Sequence, residues 1–368
     1  MRNVMSWIKI SAINILVTLA LLLIIEVGAR AAWTVKVCYT NSCDFSRLLS
    51  LKIYTDVFIE KNIGLITYDE FVGYMPVAGF TSRISGGGWQ DELVTIDPDG
   101  FRATGVNSTD ITDDSVILTI GDSFTFGDQV SDSETWPSCI ELRTKRRTLN
   151  AGVFGYGAAQ AVRRASVITQ QRSVDTIILS ILLNDDFHRD RMNFRSGFPR
   201  PAVIQSGDGL SYAEVPPINS SGTKFQPNDV NRIIFVAKNY SILISKIINW
   251  VGFDVDGMGR TEIHENAAEI DQIIEFTVRE LANINAKNRF IVLQYTRNDF
   301  PSLTSESERI KGLLFSEAQL ANIPVIDTYN RLEAELTISE GSIWYGHHTP
   351  YGNQLVCDEI YQAIQNNP

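Results

Sequence analysis

The sequence predicts a three-layer α/β domain on a five-stranded parallel sheet, preceded by one N-terminal apolar helix that would span a membrane. After residue 110, short β-branched runs alternate with longer helical patterns, as the strands and crossover helices of a parallel sheet do. The runs read as strands are 116–121, 148–152, 176–183, 290–295 and 324–328, with helices near 134–144, 158–171, 262–286, 303–321 and 350–365. Five strands joined by right-handed crossovers form one sheet with helices on both faces. The composition agrees: 368 residues, 44% apolar and 20% charged, suffice for one large core or two modest ones.

Taken in order, residues 1–32 are a membrane segment. From Ile10 to Ile25 only Ser11, Asn14 and Thr18 are polar, and Arg2 and Lys9 precede them. The length falls between a secretory signal and a single span, and Ala29-Arg30-Ala31 resembles a weak cleavage site. An uncleaved anchor is the preferred expectation, because Glu26 and Arg30 follow without a polar cleavage region. In either case the basic N-terminus stays inside and the rest is exported. Residues 33–110 are a membrane-proximal lead-in, in which Gly86-Gly87-Gly88 and Asp97-Pro98-Asp99-Gly100 mark turns. Residues 111–368 form the main domain. Its rhythm breaks between about 188 and 260, where Pro199, Pro201, Pro216 and Pro217 precede an apolar helix at 240–251; this reads as an inserted cap or flap.

Charge and cysteine content narrow the function. A net charge of −11 argues against a nucleic-acid surface, and the basic run Lys145-Arg146-Arg147 reads as a solvated helix end. Cys38 and Cys43 suit a small closed loop, while Cys139 and Cys357 fall on expected helices; pairing within each couple and free thiols both stay open. Without a CxxC repeat or a Cys/His cluster, no zinc site is expected.

The chemistry is sought at the end of the first strand, which runs into Gly121-Asp122-Ser123-Phe124-Thr125-Phe126-Gly127. Open α/β sheets place ligand sites at the carboxyl ends of their strands. A serine in such a turn can equally serve as a helix cap.

These residues resemble the first block of the SGNH, or GDSL, hydrolases, a strand followed by Gly-Asp-Ser. Asn150-Ala151-Gly152-Val153-Phe154-Gly155 resembles the second block, Leu182-Leu183-Asn184-Asp185 the third, and His347-His348-Thr349-Pro350-Tyr351-Gly352 the fifth. The resemblance covers about 240 residues and implies a flavodoxin-like sheet order with a catalytic serine. Ser123 would be the nucleophile. His347 would be its base, because the family histidine precedes its glycine by five residues, as His347 precedes Gly352; His348 is the second choice. The N–H groups of Ser123 and Gly155 and the Asn184 amide would stabilise an oxyanion. No metal or other cofactor is implied.

The sequence departs from the family in two places. Leu182-Leu183 replace glycines in the third block. The acid that usually lies two or three residues before the histidine is missing, since those positions hold Tyr345 and Trp344. A backbone carbonyl, or a carboxylate from elsewhere such as Glu340, would then orient His347; Asp122 is a further, weaker candidate. Asp185, Asp186, His188 and Asp190 offer ligand atoms in a short span, but they read as solvated residues beside the site. His264 reads as a surface residue, and Trp344 and Tyr345 as either core or the rim of a sugar site.

The expected protein is therefore a membrane-anchored esterase of a bacterial envelope, its main domain outside the cytoplasm. It would remove or transfer an O-acyl group, an acetyl ester foremost, on an acylated carbohydrate. The rival expectation is a glycan-binding or assembly protein that keeps the fold without the activity.

Overall fold

The computed structural model describes residues 65–86, 88–195, 198–207, 209–217, 261–336 and 342–366, with scattered positions between 14 and 28. The chain divides into two compact units, Lys61–Phe225 with Arg260–Pro368, and Met1–Glu60 with Gln226–Gly259.

The larger unit holds the parallel sheet. Its strands are β1 (Asp113–Ile120), β2 (Arg146–Asn150), β3 (Thr176–Leu182), β4 (Asn288–Gln294) and β5 (Val325–Asp327), in the spatial order β5-β4-β3-β1-β2, all parallel. This is the flavodoxin-like order, whose topological switch point lies between β1 and β3. Every residue of β3 is buried, as a strand covered on both faces must be. β1 is exposed at its start and fully buried over its last four residues, so its apolar end leads to the switch point.

Two helical layers cover the sheet. On one face α2 (Trp136–Thr144) and α8 (Pro350–Asn366) pack Trp136, Ile140, Val356, Ile360 and Ile364 against Ile117, Ile178, Phe290, Val292 and Ile326. α3 (Ala158–Gln171) packs on β1 and β3 and on α5 (Ile270–Asn283), which in turn meets α6 (Ser305–Leu320). Amphipathic sequence explains α3 and α5, whose apolar residues recur at helical spacing. Three short helices are also described in the larger unit: α1 (Ser123–Phe126), α4 (Asp186–Arg189) and α7 (Tyr329–Leu336).

Two expectations need correction. The helix expected over 262–286 starts only at Ile270, because Glu262–Ile263 pairs as a strand with Met192–Arg195. α7 was not foreseen, since its eight residues follow β5 without a turn signal. The lead-in also carries structure: the hairpin Thr81–Gly86 with Trp89–Thr95 leads to Arg102, whose backbone bridges Asn150 at the end of β2.

Among the described residues, no helix is long and apolar enough to cross a membrane. Most of the expected anchor lies outside the described residues; of the run from 10 to 25, Asn14, Val17, Thr18, Leu21, Ile24 and Ile25 are helical and exposed. Cys38, Cys43 and the helix at 240–251 also lie outside them.

Cys139 of α2 and Cys357 of α8 form a disulfide with their Cα atoms 6.1 Å apart. The bridge closes a loop across 218 residues at the margin of the main core. Replacing both cysteines by serine is expected to lower stability by about 2–5 kcal/mol. Urea unfolding of both chains would measure this, and an unchanged midpoint would count against it.

Candidate active site

At the end of β1 the chain turns through Gly121 at φ +151°. A Cβ there would lie 2.4 Å from Thr125 Oγ1 and 2.7 Å from the Ser180 carbonyl oxygen, so the approach of β3 requires glycine. Asp122 then caps α1, its carboxylate accepting the Phe124 N–H at 2.9 Å. Gly127, at φ +85°, ends the helix and donates to the Ser123 carbonyl at 3.0 Å. This one-turn helix holds Ser123 at its N-terminus, 7% exposed. There the first N–H groups lack intrahelical acceptors.

Arg189 fixes the turn from below. Its guanidinium donates to Asp122 at 2.9 Å, to Asp186 at 2.6 Å and to the Tyr156 carbonyl at 3.0 Å. Burial, with Asp122 beside it, holds the Asp186 carboxyl well above the usual carboxylate range. Against a burial that lowers it, Asp186 and Asp122 raise Arg189 above its ordinary value. The pair Asp122–Arg189 is thus a fixed support beneath the serine, which is the role the structure gives Asp122.

His347 approaches from the other end of the chain. After β5 and α7, Trp344–Tyr345 turns through Gly346 at φ +91° and pairs with His347–His348. The His347 N–H donates to Gln129 Oε1 at 2.9 Å, and the ring lies 5.0 Å from the Phe124 ring. Nε2 is 2.9 Å from Ser123 Oγ, the hydrogen-bond contact that a nucleophile and its base would need. α8 begins directly behind, with Pro350 as its first residue and Thr349 Oγ1 accepting the Gly352 N–H at 3.1 Å, as the sequence suggested.

His348 is packed rather than presented. It is 2% exposed and lies against Phe124 and Trp344, ring centroids 4.9 and 5.9 Å away. Burial, with His347 alongside, pushes it down to about 3, so it stays neutral across the physiological range.

The second block reaches the serine through Gly152, where a Cβ would lie 2.3 Å from Phe126 N. Gly155 has φ +72°, and Arg200 fixes its peptide by donating to the carbonyl at 2.5 Å. Asn184, exposed just past β3, donates through its amide to Asp299 and accepts from Ser307 Oγ. Only one amide hydrogen is needed for Asp299, which leaves the second for an oxyanion.

The remaining sequence candidates have other duties. Asp185 pairs with Arg189 at 3.0 Å, and His188 faces Glu306 at 3.5 Å. Asp190 caps α3 by accepting the Ala159 and Gln160 N–H groups at 2.8 and 3.1 Å, although burial pushes its carboxyl up to about 6. His264 accepts the Asn266 N–H at 3.1 Å within a turn. Among the described residues no group of His, Cys, Asp and Glu suits a metal ion. Trp344 donates to the Tyr295 carbonyl at 3.0 Å and is part of an aromatic cluster with Phe300, whereas Tyr345 is 57% exposed. Glu340 lies outside the described residues.

Sequence reasoning missed Asp128, Gln129, Arg189, Asp299 and Ser307. Asp128 Oδ2 lies 3.8 Å from His347 Nε2. Only proximity to the Gly-Asp-Ser block pointed to Asp128 and Gln129, and nothing in the sequence linked Asp299 or Ser307 to Asn184.

The four blocks stand at the ends of β1, β2 and β3 and ahead of α8, with Ser123 and His347 in contact. Their order along the chain is the one in which the sequence resembles the SGNH hydrolases. Among solved structures the chain is similar to a lipolytic G-D-S-L protein from Veillonella parvula DSM 2008, at 13% identity over 68% of this chain and 98% of that one, with a TM-score of 0.41. It is also similar to an acetylxylan esterase from Geobacillus stearothermophilus, at 13% identity over 69% and 96%, with a TM-score of 0.38. Likenesses this distant carry no substrate across to this chain. The chain matches no family profile and no curated protein.

Proposed function

We propose that this protein is a serine esterase that removes, or transfers, O-acyl groups, acetyl above all, from a carbohydrate of the bacterial envelope. The observation that carries the reading is the 2.9 Å contact between Ser123 Oγ and His347 Nε2 at the carboxyl end of β1. Ser123 attacks the acyl carbon while its proton passes to Nε2, and the proton then leaves with the sugar oxygen. The N–H groups of Ser123 and Gly155 and the Asn184 amide hold the oxyanion. Water as the second acceptor completes hydrolysis; a sugar hydroxyl completes transfer. The exposed aromatic Tyr345, opposite His347 in the ribbon, supports a sugar as the substrate. The exposed apolar helical residues Val17, Leu21, Ile24 and Ile25 support an anchor in the membrane, with the site outside the cytoplasm.

The test treats the full chain with a fluorophosphonate probe, maps the modified peptide by mass spectrometry, and assays a panel of acetylated sugars and aryl esters. Labelling of Ser123 together with release of acetate supports the reading. No labelling and no turnover would leave a carbohydrate-binding protein with an unreactive serine. Within an active enzyme, Asn184→Ala is expected to lower kcat about 10²–10³-fold with little change in KM. Steady-state kinetics would show this, and an unchanged kcat would remove Asn184 from the oxyanion hole.

A further inference from the structure

The positions two and three residues before His347 carry Tyr345 and Trp344, so its own strand supplies no carboxylate there. A carboxylate arrives instead from the serine side. Asp128 follows the left-handed Gly127, and its side chain is 11% exposed with Oδ2 3.8 Å from His347 Nε2. The next residue, Gln129, accepts the His347 N–H at 2.9 Å. One two-residue stretch therefore holds the histidine backbone and faces its ring. The stretch is anchored in turn, because the buried Arg102 donates to the carbonyls of Phe126 and Val130 on either side, at 3.0 and 2.6 Å.

We propose that Asp128 replaces the missing acid, as a positioning residue that acts through His347 from the serine-facing nitrogen. This rests on the esterase reading above. When Ser123 Oγ bonds to the acyl carbon, its O–H bond breaks and the proton goes to Nε2, making the ring an imidazolium. The Asp128 carboxylate offsets that positive charge and takes no proton itself. When the adduct collapses, the Nε2 proton leaves with the alcohol oxygen and the ring is neutral again.

The other charges around this pair do not take over the role. Arg102 faces Asp128 but is engaged by Asp132, 3.2 Å away. Glu134 accepts the Ser131 N–H, and Asp122 is matched by Arg189. His348 is neutral near pH 7.

The test follows the pH dependence of fluorophosphonate labelling in the full chain, with Asp128→Asn and Asp128→Glu. A carboxylate beside the ring favours the imidazolium, which cannot act as a base, so its removal moves the acid limb to lower pH. Asp128→Asn is expected to move that limb to lower pH and to lower the plateau rate about 10²-fold. Asp128→Glu is expected to recover part of both. A lower plateau with an unmoved limb would mean a structural role only, and an unchanged profile would also overturn the proposal. Titration of the His347 ring by NMR separates the two readings. A shift in Asp128→Asn without labelling of the parent chain would retain the Asp128–His347 coupling and discard the esterase; no shift would discard the coupling.

Discussion

Ser123→Ala and His347→Ala are each expected to lower ester turnover by roughly 10⁵–10⁶-fold, and the double variant is expected to lose little more. The reason is that the two side chains form one device. Without the imidazole the hydroxyl keeps its proton, and without the hydroxyl the imidazole has no proton to accept across the 2.9 Å contact. The residual rate is the contribution of the oxyanion donors and of binding. Burst and steady-state kinetics on one aryl ester would measure all three variants. Additive losses would mean that His347 and Ser123 act separately.

Arg102→Ala is expected to cost about 3–5 kcal/mol in folding free energy, the loss seen when one partner of a buried ion pair is removed. Arg102 is 2% exposed; it pairs with Asp132 and donates to the carbonyls of Phe126, Gly127 and Val130. Burial lowers its ordinarily very high pKa, and Asp132 opposes that. Alanine would leave the Asp132 carboxylate without its cation and remove the guanidinium donors from three carbonyls, although Thr95 N–H still reaches Asp132 and the Asn150 amide still reaches Phe126, and it would open space beside the Phe126 ring, 4.7 Å from the guanidinium carbon. Arg102→Lys is expected to restore little, because one ammonium group cannot reach all of these acceptors from one point. A drop in the urea midpoint at unchanged slope would confirm the cost, and a lysine variant as stable as the parent would refute the geometric account.

The sheet was legible because its central strands are buried on both faces and so read as unbroken apolar runs: TIILSILL became β3 almost residue for residue. α3 was found at its observed bounds, 158–171, since its amphipathic pattern starts after a glycine and ends before polar residues. The N-terminus of α5 was misplaced because TEIHEN has helix-compatible composition, while its hydrogen bonds go to the strand at 192–195. The serine, the histidine and the end of β2 were recognisable from block spacing, which is a local property. Asp128 and Arg102 were not, because their roles depend on which distant segments the fold brings beside them. Arg102 lies in a stretch without the strand-helix rhythm, and apart from Asp132 its partners are backbone carbonyls, which leave no mark in a sequence.

Ser123 and His347 stand 224 residues apart, the first following β1 in the chain and the second following the edge strand β5 and α7. Contacts between such distant segments close late, after most of the loop entropy has been overcome. A chain ending before residue 347 would keep the Gly-Asp-Ser turn yet contain no base. On the proposed reading, reactivity of Ser123 would report completion of the whole domain, and a partly synthesised or partly folded chain would carry the serine in an inert form.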